Sequence, residues 1–288
     1  MAKMDRRSFV GVAGGILAGS SLGIGGTKSE TTIHTGNRPS KAQKLWQDCE
    51  IGVVYHYDMT TFRPGHADHT RRKILRPDEY NPTELNTDQW VEAARDMGAE
   101  FAMLTATHES GFLQWQTDIY PYGVRQSPWR NGKGDLVADF VESCRRYDII
   151  PGIYIGIRFN AYQGVYQYEL TDRAHFNNID PYMRICEQIV EEICSRYGNL
   201  LELWFDGGVP TPAQGGPDLL PIVNKYQPEL VYYHSDERRD HRWIGVDARL
   251  AGIGGPDWPD DLEAFLAVFN LPDDERDSIV EEAVEMRE

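Results

Sequence analysis

From residue 46 onward, short apolar runs alternate with amphipathic stretches. Residues 50–56 (EIGVVYH), 101–107 (FAMLTAT), 151–157 (PGIYIGI), 200–205 (LLELWF) and 229–234 (ELVYYH) read as strands, with a further short one expected at 243–246. Most are continuous apolar runs, as befits strands buried on both faces of a parallel sheet. Between them, residues 87–97, 134–147, 181–197 and 218–226 carry helical periodicity. Thr87 is expected to cap the first of these, and Gly98 and Gly198 to end the first and third. Strand and helix in alternation predict an α/β fold with a helix-covered parallel sheet, and the pattern leaves barrel or open sheet undecided. His56-Tyr57-Asp58 stands after the first strand where a nucleotide-binding fold would place a glycine-rich turn.

Hydrophobic residues make up 41% of the 288 and aromatic ones 11%, enough for one large packed core. The net charge of −16 argues against nucleic acid and anionic lipid as partners. Cys49, Cys144, Cys186 and Cys194 form no C-x-x-C pair, and Cys186 and Cys194, eight apart on one helix, cannot bridge. Buried free thiols are expected.

Asp5-Arg6-Arg7-Ser8-Phe9-Val10-Gly11 resembles a twin-arginine export signal. The apolar stretch at 10–24 holds five glycines from Gly11 to Gly23 and is too short for a membrane span. The expectation is an exported chain, periplasmic or extracellular, with no membrane span once mature. Signal and linker then occupy 1–33, the barrel 40–255, and an acidic helical tail 256–288.

Polar side chains fall where strands end. His56 closes the first, His108-Glu109 the second, Asp206 the fourth and His234 the fifth, while Tyr154 lies within the third. In a barrel those ends form the mouth that holds a ligand. Asp206 stands out, delivered by Leu203-Trp204-Phe205 and followed by Gly207-Gly208. Such a carboxylate suits nucleophilic or acid/base work, or it simply caps the following turn.

Several of these segments resemble the α-L-fucosidases of glycoside hydrolase family 29. Thr105-Ala106-Thr107-His108-Glu109-Ser110-Gly111-Phe112, Gly132-Lys133-Gly134-Asp135, Pro151-Gly152-Ile153-Tyr154, Leu203-Trp204-Phe205-Asp206 and Ile51-Gly52-Val53-Val54-Tyr55-His56 match in order, over about residues 46–258. The resemblance implies a (β/α)8 TIM-like barrel and a retaining glycosidase with Asp206 as nucleophile, cleaving terminal α-L-fucose from an oligosaccharide or glycoconjugate without metal or other cofactor. It places His56, His108, Tyr154 and Trp204 around the sugar. Glu109 stands where the family carries a second histidine. Arg242-Trp243-Ile244-Gly245-Val246-Asp247 corresponds to a segment that presents a glutamate in relatives, so Asp247 is the expected acid/base and Arg242 a sugar contact; Glu109 and Glu237 are the reserves. Arg239 is a further candidate contact or an ordinary surface ion pair.

Two other readings stay open: a carbohydrate-binding relative that keeps the pocket but lacks a working acid, or a hydrolase for another neutral sugar. After Trp258 the resemblance fades, and the barrel is expected to be incomplete at its C-terminal end. His66 and His69 sit in a polar loop with no evident third ligand and read as solvated. The aromatic residues 159–168 line subsites or pack the barrel rim.

Overall fold

The computed structural model describes residues 39–62 and 74–240. The export signal, the loop holding His66 and His69, Arg242, Asp247, the strand expected at 243–246 and the tail at 256–288 lie outside them. In chain order the elements are α1 (Lys41–Asp48), β1 (Gly52–Tyr55), α2 (Thr87–Asp96), β2 (Phe101–Thr107), α3 (Leu136–Arg146), β3 (Ile150–Ile155), β4 (Phe159–Asn160), β5 (Val165–Tyr166), β6 (Glu169–Leu170), α4 (Asp180–Arg196), β7 (Glu202–Val209), α5 (Leu220–Tyr226) and β8 (Val231–Ser235). None of the described helices is long and apolar enough to cross a membrane.

Five strands form one sheet in the order β1-β2-β3-β7-β8. Every pairing is parallel. The intervening helices α2, α3, α4 and α5 provide the crossovers that parallel strands require. The alternation predicts such a parallel sheet, and it forms the wall of an α/β barrel, as the resemblance implies.

The sheet's two faces differ. Ala102, Leu104, Ile153, Leu203 and Phe205 pack outward into a core shared with Val91, Phe140, Ile189 and Val223 of the helices. Phe101, Met103 and Tyr154 form a smaller cluster on the opposite face, with Trp204 packed against it. On that inner face the Phe101 ring fills space that two glycines leave. A Cβ on Gly52 would lie 2.7 Å from Phe101 Cδ1, and one on Gly152 2.6 Å from its Cε2. Large beside small is how a barrel interior interdigitates.

Helix α1 seats against the start of β7. Ser40 and Gln43 make a capping box at its N-terminus. Its Trp46 indole donates to Glu202 Oε2 at 2.7 Å, satisfying a carboxylate that is only 3% exposed.

Two expectations need correction. Asn86, not Thr87, caps α2, its side chain accepting from the Gln89 N–H. Thr87 Oγ1 instead pairs with Ser143 Oγ at 2.8 Å, tying α2 to α3. The strand carrying Asp206 does not end there but runs on to Val209. Gly207 and Gly208 adopt φ of 71° and 78° inside it. This left-handed pair makes a bulge rather than a turn, and the β7–β8 register shifts between Trp204 and Val209. Gly98 and Gly198 follow α2 and α4 as expected.

The aromatic segment after β3 forms the small antiparallel ribbon β4-β5-β6. Tyr162 stacks flat on Tyr122 with centroids 4.5 Å apart. Trp115 is fully buried and donates to Glu192 Oε2 at 2.8 Å. These rings pack the structure; of the aromatics considered for sugar contact, Trp204 stands beside the polar cluster at the strand ends.

Candidate active site

Alternation along β7 puts Trp204 and Asp206 on the inner face, the face of Tyr154 on β3. The register pairs Tyr154 with Trp204, and their rings meet edge-on with centroids 5.3 Å apart. One step further along, the Tyr154 hydroxyl donates to Asp206 Oδ2 at 3.1 Å. Burial, the Asp206 charge and this hydrogen bond hold the Tyr154 hydroxyl well above the ordinary tyrosine range, and Glu109 and Asp58 push the same way. Tyr154 is therefore a fixed donor at any physiological pH. Three carboxylates act on it: Asp206, Glu109 and Asp58.

His56 and His108 follow β1 and β2, neighbouring strands, so their rings come together edge-on at 4.4 Å between centroids. The His108 ring is in turn 5.5 Å from that of Tyr154. Asp58 lies beneath them, 1% exposed. Its Oδ1 accepts from the Thr60 backbone N–H at 2.8 Å, which turns Oδ2 to within 3.6 Å of His108 Nδ1. His56, Asp58 and His108 each offer one ligating atom, and these lie within 4.8 Å of one another.

The fully buried Gln114 holds this corner in place. Its amide donates to the Tyr57 carbonyl at 2.7 Å and the Thr105 carbonyl at 2.6 Å, joining the ends of β1 and β2. Its oxygen accepts from the Tyr80 hydroxyl at 3.1 Å.

The structure thus gathers His56, His108, Tyr154, Trp204 and Asp206, with Glu109 acting on the same tyrosine. His234 falls elsewhere. It packs against Gly208, where a Cβ would come 2.8 Å from its Nε2. There it lines a cleft of about 590 Å³ together with Arg158, Tyr168 and Arg239. Glu237 is exposed and acts electrostatically on Tyr232. Arg239 pairs with Asp236. Arg242 and Asp247 lie outside the described residues.

Sequence reasoning missed Asp58, Gln114 and Arg158. Asp58 had a signal: two residues after His56, it shares that residue's side of an extended chain. Arg158 Nη1 donates to the Gly207 carbonyl at 3.1 Å and so braces the bulge beside Asp206. It follows a strand whose end already carried Tyr154, and nothing local marks it.

The family model described as Alpha-L-fucosidase matches residues 26–247. Alpha-L-fucosidase 1 of Arabidopsis thaliana is 29% identical over 221 residues, which cover 74% of this chain and 40% of that protein. A crystal structure from Bacteroides thetaiotaomicron, described as a candidate α-L-fucosidase, is 48% identical with a TM-score of 0.69, covering 73% of this chain and 50% of the other. A glycoside hydrolase family 29 member from an unknown rumen bacterium is 26% identical with a TM-score of 0.61, covering 73% and 38%. The chain spans about 40% of the length of the curated relatives it matches.

Proposed function

Because the chain belongs to the α-L-fucosidase family, we propose that it is a retaining glycoside hydrolase that removes terminal α-L-fucose from a glycan, with Asp206 as its nucleophile. The observation that carries this reading is the Tyr154 hydroxyl bond to Asp206 Oδ2 at 3.1 Å, beside Trp204 and the His56–His108 pair. A carboxylate fixed in rotation by a hydroxyl donor suits in-line attack on an anomeric carbon.

In the first step a carboxylate oxygen of Asp206 bonds to C1 as the bond from C1 to the leaving oxygen breaks. A protonated carboxyl gives that oxygen its proton. In the second step water attacks C1, the ester to Asp206 breaks, and the same carboxyl takes the water's proton. Retention requires the two carboxyl groups to lie about 5–5.5 Å apart. Asp247 is the acid/base proposed from its sequence context, with Arg242 as a sugar contact, and Glu109 is the alternative that acts on Tyr154. In this reading His56, His108 and Glu109 bond sugar hydroxyls, and Trp204 packs on the apolar C6 methyl. We further propose export through the twin-arginine stretch at Arg6-Arg7, with signal and linker at 1–33, the barrel at 40–255 and its acidic tail at 256–288.

Hydrolysis of p-nitrophenyl α-L-fucoside by the purified chain tests the reading. Asp206→Ala should lower turnover by about 10³-fold or more, the scale on which removal of a nucleophile acts. A folded wild-type chain that binds fucose by calorimetry but never turns over the fucoside would instead be the binding relative. Turnover of other neutral glycosides in preference to the fucoside would move the substrate class.

A further inference from the structure

We propose that His56, Asp58 and His108 form a binding site for a divalent transition-metal cation, zinc in the first instance, which competes with the sugar for the same two imidazoles. Two imidazole nitrogens and a carboxylate oxygen are a donor set that zinc accepts, and three protein ligands leave a fourth position open to water. The ligating atoms lie within 4.8 Å of one another, and Asp58 Oδ2 already stands 3.6 Å from His108 Nδ1. Tetrahedral zinc with bonds near 2.0–2.2 Å spaces its ligands at about 3.3–3.6 Å. The required closure is small, and it falls on His56, whose side chain is exposed and can turn about its two torsions.

A second observation points to a cation. Asp58 is 1% exposed, and its Oδ2 accepts no hydrogen bond among the described residues. A buried carboxylate oxygen without a donor is costly, and a bound cation would offset that cost. Its other oxygen is held by Thr60, and the Tyr57 carbonyl between the two ligands is held by Gln114. Orientation of a ligand by fixed neighbours is what a metal site needs. Asp58, Asp206 and Glu109 all act on Tyr154, whose ring lies 5.5 Å from that of His108, so the corner is negative.

Isothermal titration of zinc chloride into the purified full chain, in buffer free of chelators, tests the site directly. One zinc should bind per chain. Asp58→Asn, which keeps the side chain's shape, and His56→Ala, which removes an exposed ring, should each weaken binding by about 10–100-fold. The double variant His66→Ala/His69→Ala should keep the wild-type affinity. No zinc binding by the wild-type chain, undiminished affinity in either single variant, or loss of binding in the loop double variant each overturns the site. Fucose affinity measured in the same instrument should fall as zinc rises. This last arm rests on the sugar site proposed above; the zinc titration does not. A chain that binds zinc and cleaves no fucoside keeps the cation site, while one that cleaves fucoside and ignores zinc loses it.

Discussion

Tyr154 on β3 donates its hydroxyl to Asp206 on β7 at 3.1 Å, a bond between two strands paired one step earlier at Tyr154 and Trp204. The donor cannot ionise at physiological pH, because burial and the carboxylate itself hold its proton in place. Tyr154→Phe removes the hydroxyl and keeps the ring. A hydrogen bond to a charged group contributes about 1.5–3 kcal/mol, so fucoside turnover should fall about 10–100-fold. Steady-state kinetics beside a thermal melt check this; an unchanged kcat would mean that Tyr154 does not orient Asp206 for the proposed attack.

Gly207 and Gly208 carry φ of 71° and 78° within a continuous strand. A Cβ at Gly207 would sit 1.9 Å from Arg158 Nη1, and one at Gly208 2.8 Å from His234 Nε2. Alanine at either position adds left-handed backbone strain, costing about 1–3 kcal/mol. Arg158 can swing aside, whereas His234 is buried, so Gly208→Ala should destabilise more. Urea unfolding of the two variants measures the order.

Gln114 ties the ends of β1 and β2 through the Tyr57 and Thr105 carbonyls. Gln114→Leu is close in size, but it leaves those carbonyls and the Tyr80 hydroxyl without their partner. The expected loss is about 2–4 kcal/mol, since each orphaned buried group costs about 1–3 kcal/mol and the groups overlap. The corner that sets His56 beside His108 should loosen too, raising KM for the fucoside. A stability loss with no change in KM would confine Gln114 to the scaffold.

All four cysteines are buried and free. Burial pushes the thiols of Cys144 and Cys194 up to about 12, and burial with the nearby Glu100 and Asp48 charges pushes Cys49 up to about 11; Cys186 is raised as well. A thiol whose pKa rises on folding loses thiolate at any pH near 8, and the thiolate is the reactive form. Iodoacetamide at pH 8 should therefore leave the native chain unlabelled and label all four cysteines once it is denatured. Mass spectrometry reads the count.

Trp46→Phe keeps a ring against β7 but withdraws the indole N–H from Glu202, which is 3% exposed. Withdrawing one donor from a buried carboxylate costs about 1–3 kcal/mol. The site lies at the opposite ends of the strands, so the melting temperature should drop while KM for the fucoside holds. A shift in both would show that α1 also governs the site.

Much of this was readable in the chain. Residues 101–107 are apolar but for Thr105 and Thr107 and are buried throughout, and β2 occupies just those positions because no turn former interrupts the run. Helices α2, α3 and α4 fall within two residues of their periodic stretches, since amphipathic spacing reports which side meets the sheet. His56, His108, Tyr154 and Asp206 stood out as polar residues at or near strand ends, and Trp204 joined them through the family resemblance. The failures have equally local causes. Gly207-Gly208 reads as a turn because glycine pairs usually punctuate, and only the pairing partner reveals a bulge. The β4-β5-β6 ribbon has strands of two residues each, below any periodic signal. Gln114 draws its role from Tyr57, Thr105 and Tyr80, which meet it only in three dimensions.

The Phe101 ring lies where side chains on both Gly52 and Gly152 would have to go. Positions 52, 101 and 152 therefore share one fixed volume although they stand on three different strands. A methyl gained at either glycine requires atoms surrendered at Phe101, so single steps are blocked in a way that a paired exchange is not. The lumen around these positions can be reshaped only by trade among these three, and the smallest such trade, Gly152→Ala with Phe101→Leu, is where a redesign of the barrel floor should begin.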